Sequence, residues 1–462
     1  MKKLGMVLGI TILALLCGGC GAVVSGAAAE TVGTDFSEHR LSYALAAEDT
    51  DSFSGWMAGA TAVAFDGAQV SVDGAGADVS GGSAADGGAV VTISQAGTYV
   101  FSGQTDDGQI LVYVGKEDAV RLVLDGLSLK NPEGAAIHIM QAEKTVLILA
   151  DGSENTLADG ASYAAVDEKG EPDAALFSKD DLTITGGGSL SVTASYADGI
   201  VSKDVLCVTG GSLTIDAADD GLRGTDGLVI AGGDLTVRAG GDAVKSTKDE
   251  DAQKGFVLIT GGALTVPECY EGIEAPRIQI DGGTITVNAS DDAINGATNT
   301  DSGTDTGTGA AGRDARTQGG RPDGGGWGGF GDMGGGAADY VFVRITGGTL
   351  DLTGANDGID VNVALYIDGG DLTITGPSRG MDGAIDLDGK LTVTGGTLHV
   401  TGSVSAMGGV EGWDVPEENQ SITEGGAGGG FGGGMRQDDG AGGRGGGFGG
   451  PGGGRPAQGA PS

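Results

Sequence analysis

The sequence predicts an all-β fold, a right-handed parallel β-helix with three strands in each coil of ~22 residues. Three observations predict it. Glycine supplies 96 of the 462 residues while aromatic residues make up only 5%, a composition too rich in turn formers for a helical protein. Glycine pairs flanked by apolar residues recur, with first members at Gly210, Gly232, Gly261, Gly282, Gly347, Gly369 and Gly395. Between them apolar residues alternate with Thr and charged residues, the pattern of short strands with one buried face.

Counting from the first glycine of each pair sorts the apolar residues into columns. Just before it stand Val208, Ile230, Ile259, Ile280, Ile345, Ile367 and Val393, and just after it Leu213, Leu235, Leu264, Ile285, Leu350, Leu372 and Leu398. No polar residue enters either column, so each coil offers an apolar face that only a neighbouring coil can cover. Parallel crossovers run right-handed. A WD-type propeller would need about 40 residues per blade, longer than this repeat.

The remaining elements follow in chain order. Residues 1–20 read as a lipoprotein signal peptide: Lys2 and Lys3, an apolar run from Leu4 to Leu16, then Gly18 and Gly19 before Cys20, too short a run to span a membrane. The small residues before Cys20 resemble a bacterial lipobox, with Cys17 where that motif usually has Leu. Cys20 is therefore the expected lipidation site, placing the chain on the outer face of the bacterial cell membrane and touching it only through the lipid. Residues 21–60 read as a flexible tether and 61–413 as the β-helix. Residues 300–339 form a Gly-rich insert and 414–462 a Gly-rich tail, neither able to bury enough apolar surface to fold alone. Cys207 and Cys269 fall two coils apart, too far for a disulfide.

A net charge of -39 excludes nucleic acid and anionic membrane as main partners and makes divalent cations the natural counterions. At the Asp-Gly corners a further column reads Asp220, Asp242, Glu271, Asp292 and Asp357, then fails at Arg379 and Ser405. Coils stacked at about 4.8 Å would make each neighbouring pair repel by roughly 3.5 kcal/mol at an effective dielectric near 20. Two readings stay open. Each acid caps its own corner by accepting backbone N–H groups, or the ladder, helped by Asp219, Asp291, Asn356, Asp360 and Asn362, holds Ca²⁺ through carboxylate and backbone oxygens. A second column on the same edge runs Arg223, Lys245, Glu274, Asn295, Asp360 and Asp382. Lys245 and Glu274 are there a cross-coil ion pair, or Arg223 and Lys245 bind the carboxylates of an acidic polysaccharide such as polygalacturonate beside the metal.

Several phrases carry a family resemblance. "GGAVVTISQAGTYVFSGQTDDGQILVYV", "VRLVLDGLSLKNPEGAAIHI", "ADGSENTLADG", "AALFSKDDLTITGGGSLSV" and the insert "GGRPDGGGWGGFG" resemble, in this order, the bacterial surface carbohydrate-binding domain family with a pectate-lyase-like right-handed parallel β-helix. The resemblance runs from about Ala89 to Gly412 and implies a non-catalytic, calcium-binding protein for pectin or cellulose, expected to be a monomer. An enzyme remains an alternative, a lyase in which calcium acidifies the substrate and Arg223 or Lys245 removes the proton. A structural surface spacer is the third reading. Nucleophilic catalysis is poorly supported, because His39, His138 and His399 are scattered through the chain.

Overall fold

The computed structural model of the chain describes residues 32–35, 39–45, 59–82, 88–298, 340–378 and 382–420. The signal peptide, Cys20, Arg379, the insert and most of the tail lie outside them. The architecture is the parallel β-helix that the repeat predicts. Each coil gives one strand to each of three parallel rows, as in Val205–Val208, Ser212–Ala217 and Leu222–Gly224, followed by Gly227–Ile230, Asp234–Ala239 and Val244–Lys245.

Register follows the columns. Leu213 pairs with Leu235, Leu235 with Leu264, Leu264 with Ile285, Ile285 with Leu350, and Leu350 with Leu372. These residues are at most 2% exposed and belong to a single apolar core that runs the length of the stack. The glycine pairs make the corners. The second member of each has a left-handed φ, +92° at Gly233 and +97° at Gly348, which a side chain tolerates poorly. The first has no room for one, since a Cβ on Gly232 would sit 2.5 Å from the Thr209 carbonyl oxygen of the preceding coil.

Both ends are closed. The antiparallel hairpin of Thr61–Asp66 and Gln69–Asp73 covers the first coil. Trp413 and Val415 pack on the last one, where the Asn419 amide donates to the carbonyls of Val400 and Gly402. Such covers prevent edge-to-edge pairing of exposed strands. Residues 39–45, within the segment expected to be a tether, lie along the outside of the stack. Leu41 is buried in an apolar strip with Val229, Phe256, Leu258 and Phe342, and its N–H and C=O bond the Gln279 side chain at 2.6 and 3.1 Å. Cys207 and Cys269 are both buried and form no disulfide.

The last two coils correct the counted register. Ile359 pairs with Ile385 and Ile385 with Val404, so the corner after Thr375 is longer than its predecessors and the one after Thr401 shorter. Asp386, not Asp382, continues the column from Asp360, and Ser405 belongs to that second column. The acid column itself ends at Gly383 and Gly402, the positions two before Ile385 and Val404.

Candidate functional site

One row of thirteen strands forms a long face of the helix. Its outward side chains make a continuous line in register: His138, Phe177, Val201, Arg223, Lys245, Glu274, Asn295, Asp360, Asp386 and Ser405. The line passes from aromatic and apolar through basic to acidic. Beside it, at the corner that precedes each strand, runs the ladder of Asp198, Asp220, Asp242, Glu271, Asp292 and Asp357.

Every ladder carboxylate but Glu271, whose Oε2 accepts from the Asn295 amide, divides its work between two oxygens. One oxygen accepts the backbone N–H of the next coil: Asp198 from Asp220 at 3.2 Å, Asp220 from Asp242 at 2.9 Å, Asp242 from Glu271 at 3.2 Å, Asp292 from Asp357 at 2.8 Å and Asp357 from Gly383 at 2.6 Å. Capping is therefore real, but these acids cap the corner of the next coil rather than their own. The other oxygen is left for a cation.

In the first half of the ladder that cation is a side chain. Arg223 bonds Asp198 Oδ2 at 2.7 Å and Asp173 Oδ2 at 2.6 Å and approaches Asp220 Oδ2 at 3.8 Å. Lys245 Nζ lies 2.6 Å from Asp242 Oδ2, 2.8 Å from Glu274 Oε2 and 4.0 Å from Asp220 Oδ2. The two side chains are only 14% and 19% exposed. Burial alone would pull their pKa values down, but the surrounding carboxylates override it and hold both above the ordinary range.

Beyond Lys245 the described residues give the ladder no such partner. Among the described residues no Lys or Arg pairs with Asp291, Asp292, Asp357 or Asp360. Burial, reinforced by the neighbouring acids, pushes Glu271 up to about 8, Asp292 to about 9, Asp357 to about 7 and Asp360 to about 6. Two clusters here each bring three oxygens within 4.8 Å of one another, Glu271 with Asp291 and Asp292, and Asp292 with Asp357 and Asp360. A third, Asp242 with Glu271 and Glu274, contains the Lys245 ammonium.

Asn295 adds an independent mark. It is 7% exposed, donates from Nδ2 to Glu271 Oε2 at 3.0 Å, and leaves its Oδ1 buried without a partner. A buried acceptor in that state costs about 1–3 kcal/mol and is what an oxygen-seeking cation would relieve. Its neighbour along the line is Asp360. The donor set of carboxylate and amide oxygens, with no sulfur or imidazole, suits a hard cation.

Of the expected metal residues, Glu271, Asp291, Asp292, Asp357 and Asp360 are thus brought together, and Asp242 joins the cluster that Lys245 fills. Asp219 and Asp220 lie outside the three carboxylate clusters. Counting missed Asp198 and Asp173, the partners of Arg223. The signal was present as "ADGI" ahead of "DDGL", but the triple glycine Gly186–Gly188 displaces that coil's count.

Comparison with known proteins places the chain. Residues 87–321 match the model of a family described as carbohydrate-binding domain-containing protein. The chain belongs to this family. A relative of the same description, from Acetivibrio thermocellus, is 47% identical over 171 residues, 37% of this chain and 60% of the relative. The chain thus spans less than two thirds of that relative's length. Among solved structures, a polysaccharide lyase-like protein from C. thermocellum, determined as a gadolinium derivative, is 26% identical, with a TM-score of 0.42 over 76% of this chain and 98% of the other.

Proposed function

We propose that this family member binds acidic plant-type polysaccharide, polygalacturonate or pectin, through Ca²⁺ held in the second half of the ladder, without cleaving it. The observation that carries the reading is the change of partner along one ladder. Arg223 and Lys245 neutralise the first coils, while among the described residues Asp291, Asp292, Asp357 and Asp360 have no side-chain cation, and the orphaned oxygen of Asn295 stands in register with Asp360. Calcium takes 6–8 oxygen ligands in flexible geometry, so protein oxygens from one cluster leave positions for uronate carboxylates. A polymer lying along the stack would meet several coils, and modest contacts would add through effective concentration.

A lyase needs a base poised to accept a proton. Beside the ladder the candidate bases are Arg223 and Lys245, since His138 stands three strands before Arg223 on this line, and their carboxylate partners hold both protonated. That favours binding over elimination, and it assigns the two cations to the ladder's own charge balance rather than to uronate. Export through residues 1–20 and lipidation at Cys20 would display the stack at the cell surface.

The test is co-sedimentation with insoluble polygalacturonate and with cellulose, in millimolar calcium and in EDTA. Retention on polygalacturonate that EDTA abolishes, with no unsaturated uronate released, is the expected result. Release of unsaturated product would make the protein a lyase, and retention on neither polymer would leave a structural spacer.

A further inference from the structure

A flank of the helix away from the ladder carries an unexpected burial. On the row that contains Val205–Val208 and Gly227–Ile230, one outward column reads, in register, Val146, Thr183, Cys207, Val229, Leu258 and Gln279. These side chains are only 1–3% exposed, although they point away from the core that holds Leu147 and Ile184. On the next row the outward Thr214 and Thr286 are exposed, as the outer face of a single-layered stack should be. A cover therefore lies over the first row.

Residues 39–45 supply that cover at one end. His39 packs on Phe342 and Tyr366 while Leu41 bonds Gln279, so the chain runs along the helix axis toward the first coils. It stops short of the other end. Val146 stands five strand steps from Gln279, about 24 Å at ~4.8 Å per step, whereas the residues from Leu41 to Leu45 reach at most about 14 Å. The apolar residues clustered with Val146 are Val100, Val123, Ile148 and Ala150 of the same flank. Left bare, such a strip would be an association site.

We propose that residues 46–58 dock on this column as the continuation of 39–45, a strap lying across the coils with Phe53 and Trp56 over Val146 and Val123. Both ends of the segment are fixed. It leaves Leu45 heading for the first coils and must arrive at Thr61, which opens the strand paired with Gly97–Thr105. From Gln279 to that strand is eight strand steps along this same flank, about 38 Å. Even pacing of the chain from Leu41 to Thr61 over that distance brings Phe53 level with Val146 and Trp56 level with Val123. Phe53, Trp56 and Met57 are the large apolar residues of the segment, and they fall where the strip is most apolar. The strap also supplies what coil stacking cannot. In a solenoid each coil touches its neighbours alone and can fray with them, but a segment fastened from Tyr366 to the first coil couples all the coils it crosses.

Fluorescence of the full-length chain tests the strap directly. The emission of wild type less that of Trp56→Phe isolates the Trp56 ring, which should emit to the blue of free tryptophan and be quenched by acrylamide at least about threefold less, as a ring packed on apolar side chains must be. Phe53→Ser with Trp56→Ser should bind a hydrophobic dye that wild type does not, and a protease should cut within residues 46–58 at least about tenfold faster under native conditions. A Trp56 ring quenched like free tryptophan would overturn the proposal. So would a double variant that matches wild type in dye binding and cleavage. Dye binding that appears on truncation after Gln420, and not in the double variant, would overturn it too, by making the C-terminal tail the cover.

Discussion

Replacing Lys245 by Met removes one charge from the middle of the ladder while keeping an unbranched side chain of similar bulk. The ammonium lies 2.6 Å from Asp242 and 2.8 Å from Glu274, whose side chains are 5% and 7% exposed. Removing one partner of a buried ion pair costs about 3–5 kcal/mol, because the remaining charge keeps its desolvation penalty without compensation. Here two carboxylates are left, so Lys245→Met should lose at least about 3 kcal/mol in EDTA, read as a lower guanidinium midpoint. Lys245→Met with Glu274→Gln should recover part of that loss, since one uncompensated charge goes with it. Calcium should also rescue the single variant more than it stabilises wild type, because the vacated Asp242, Glu271 and Glu274 oxygens lie within 4.8 Å of one another. A loss below about 1 kcal/mol in EDTA, the scale of an exposed pair, would refute the argument that these carboxylates depend on a fixed cation.

Other perturbations test other parts of the account. Asp292→Asn with Asp357→Asn should abolish the stabilisation that calcium gives wild type, about 2.7 kcal/mol at a hundred times the dissociation constant, measured as denaturation with and without EDTA. His138 is held neutral to about 4 by burial, with Lys179 adding to the effect. The unfolded chain therefore takes up its proton first as pH falls from about 6.5, and stability is lost below that pH. His138→Gln should gain about 2 kcal/mol relative to wild type between pH 7.5 and pH 5, checked by paired denaturation curves. Gly199→Ala would put a Cβ 2.5 Å from the Gly221 carbonyl oxygen and 2.6 Å from Ile215, and the overpacking should cost about 1–3 kcal/mol. Gln279→Ala should remove both hydrogen bonds to Leu41 and increase proteolysis of residues 39–45 under native conditions.

How far the sequence could be read depended on which quantity was periodic. The interior columns were legible because Leu213 and its successors must fall on one line for any coil to bury its face, and the same spacing carried the acid ladder from Asp220 to Asp357. The count failed where corner length changed, after Thr375 and Thr401, since an exposed corner can gain or lose residues without disturbing the core. The partners of Arg223 and Lys245 were half legible. Register gives the neighbouring residue, but which oxygen turns toward a cation and which toward a backbone N–H depends on local geometry. The Asn295 oxygen was not legible at all, because its lack of a partner follows from the amide's bond to Glu271. The docking of Leu41 escaped notice because the alternation of Leu41, Tyr43 and Leu45 is only one short strand long and lies far outside the coil repeat.

The most direct test of the central claim is a crystal structure of the protein grown with calcium and trigalacturonate. The account predicts a strong density peak bounded by Asp292, Asp357, Asp360 and Asn295 Oδ1, with oxygen ligands at about 2.3–2.6 Å and a uronate carboxylate completing the shell. A cluster without metal, in which the ladder acids bond one another through shared protons while the sugar lies elsewhere, would contradict it.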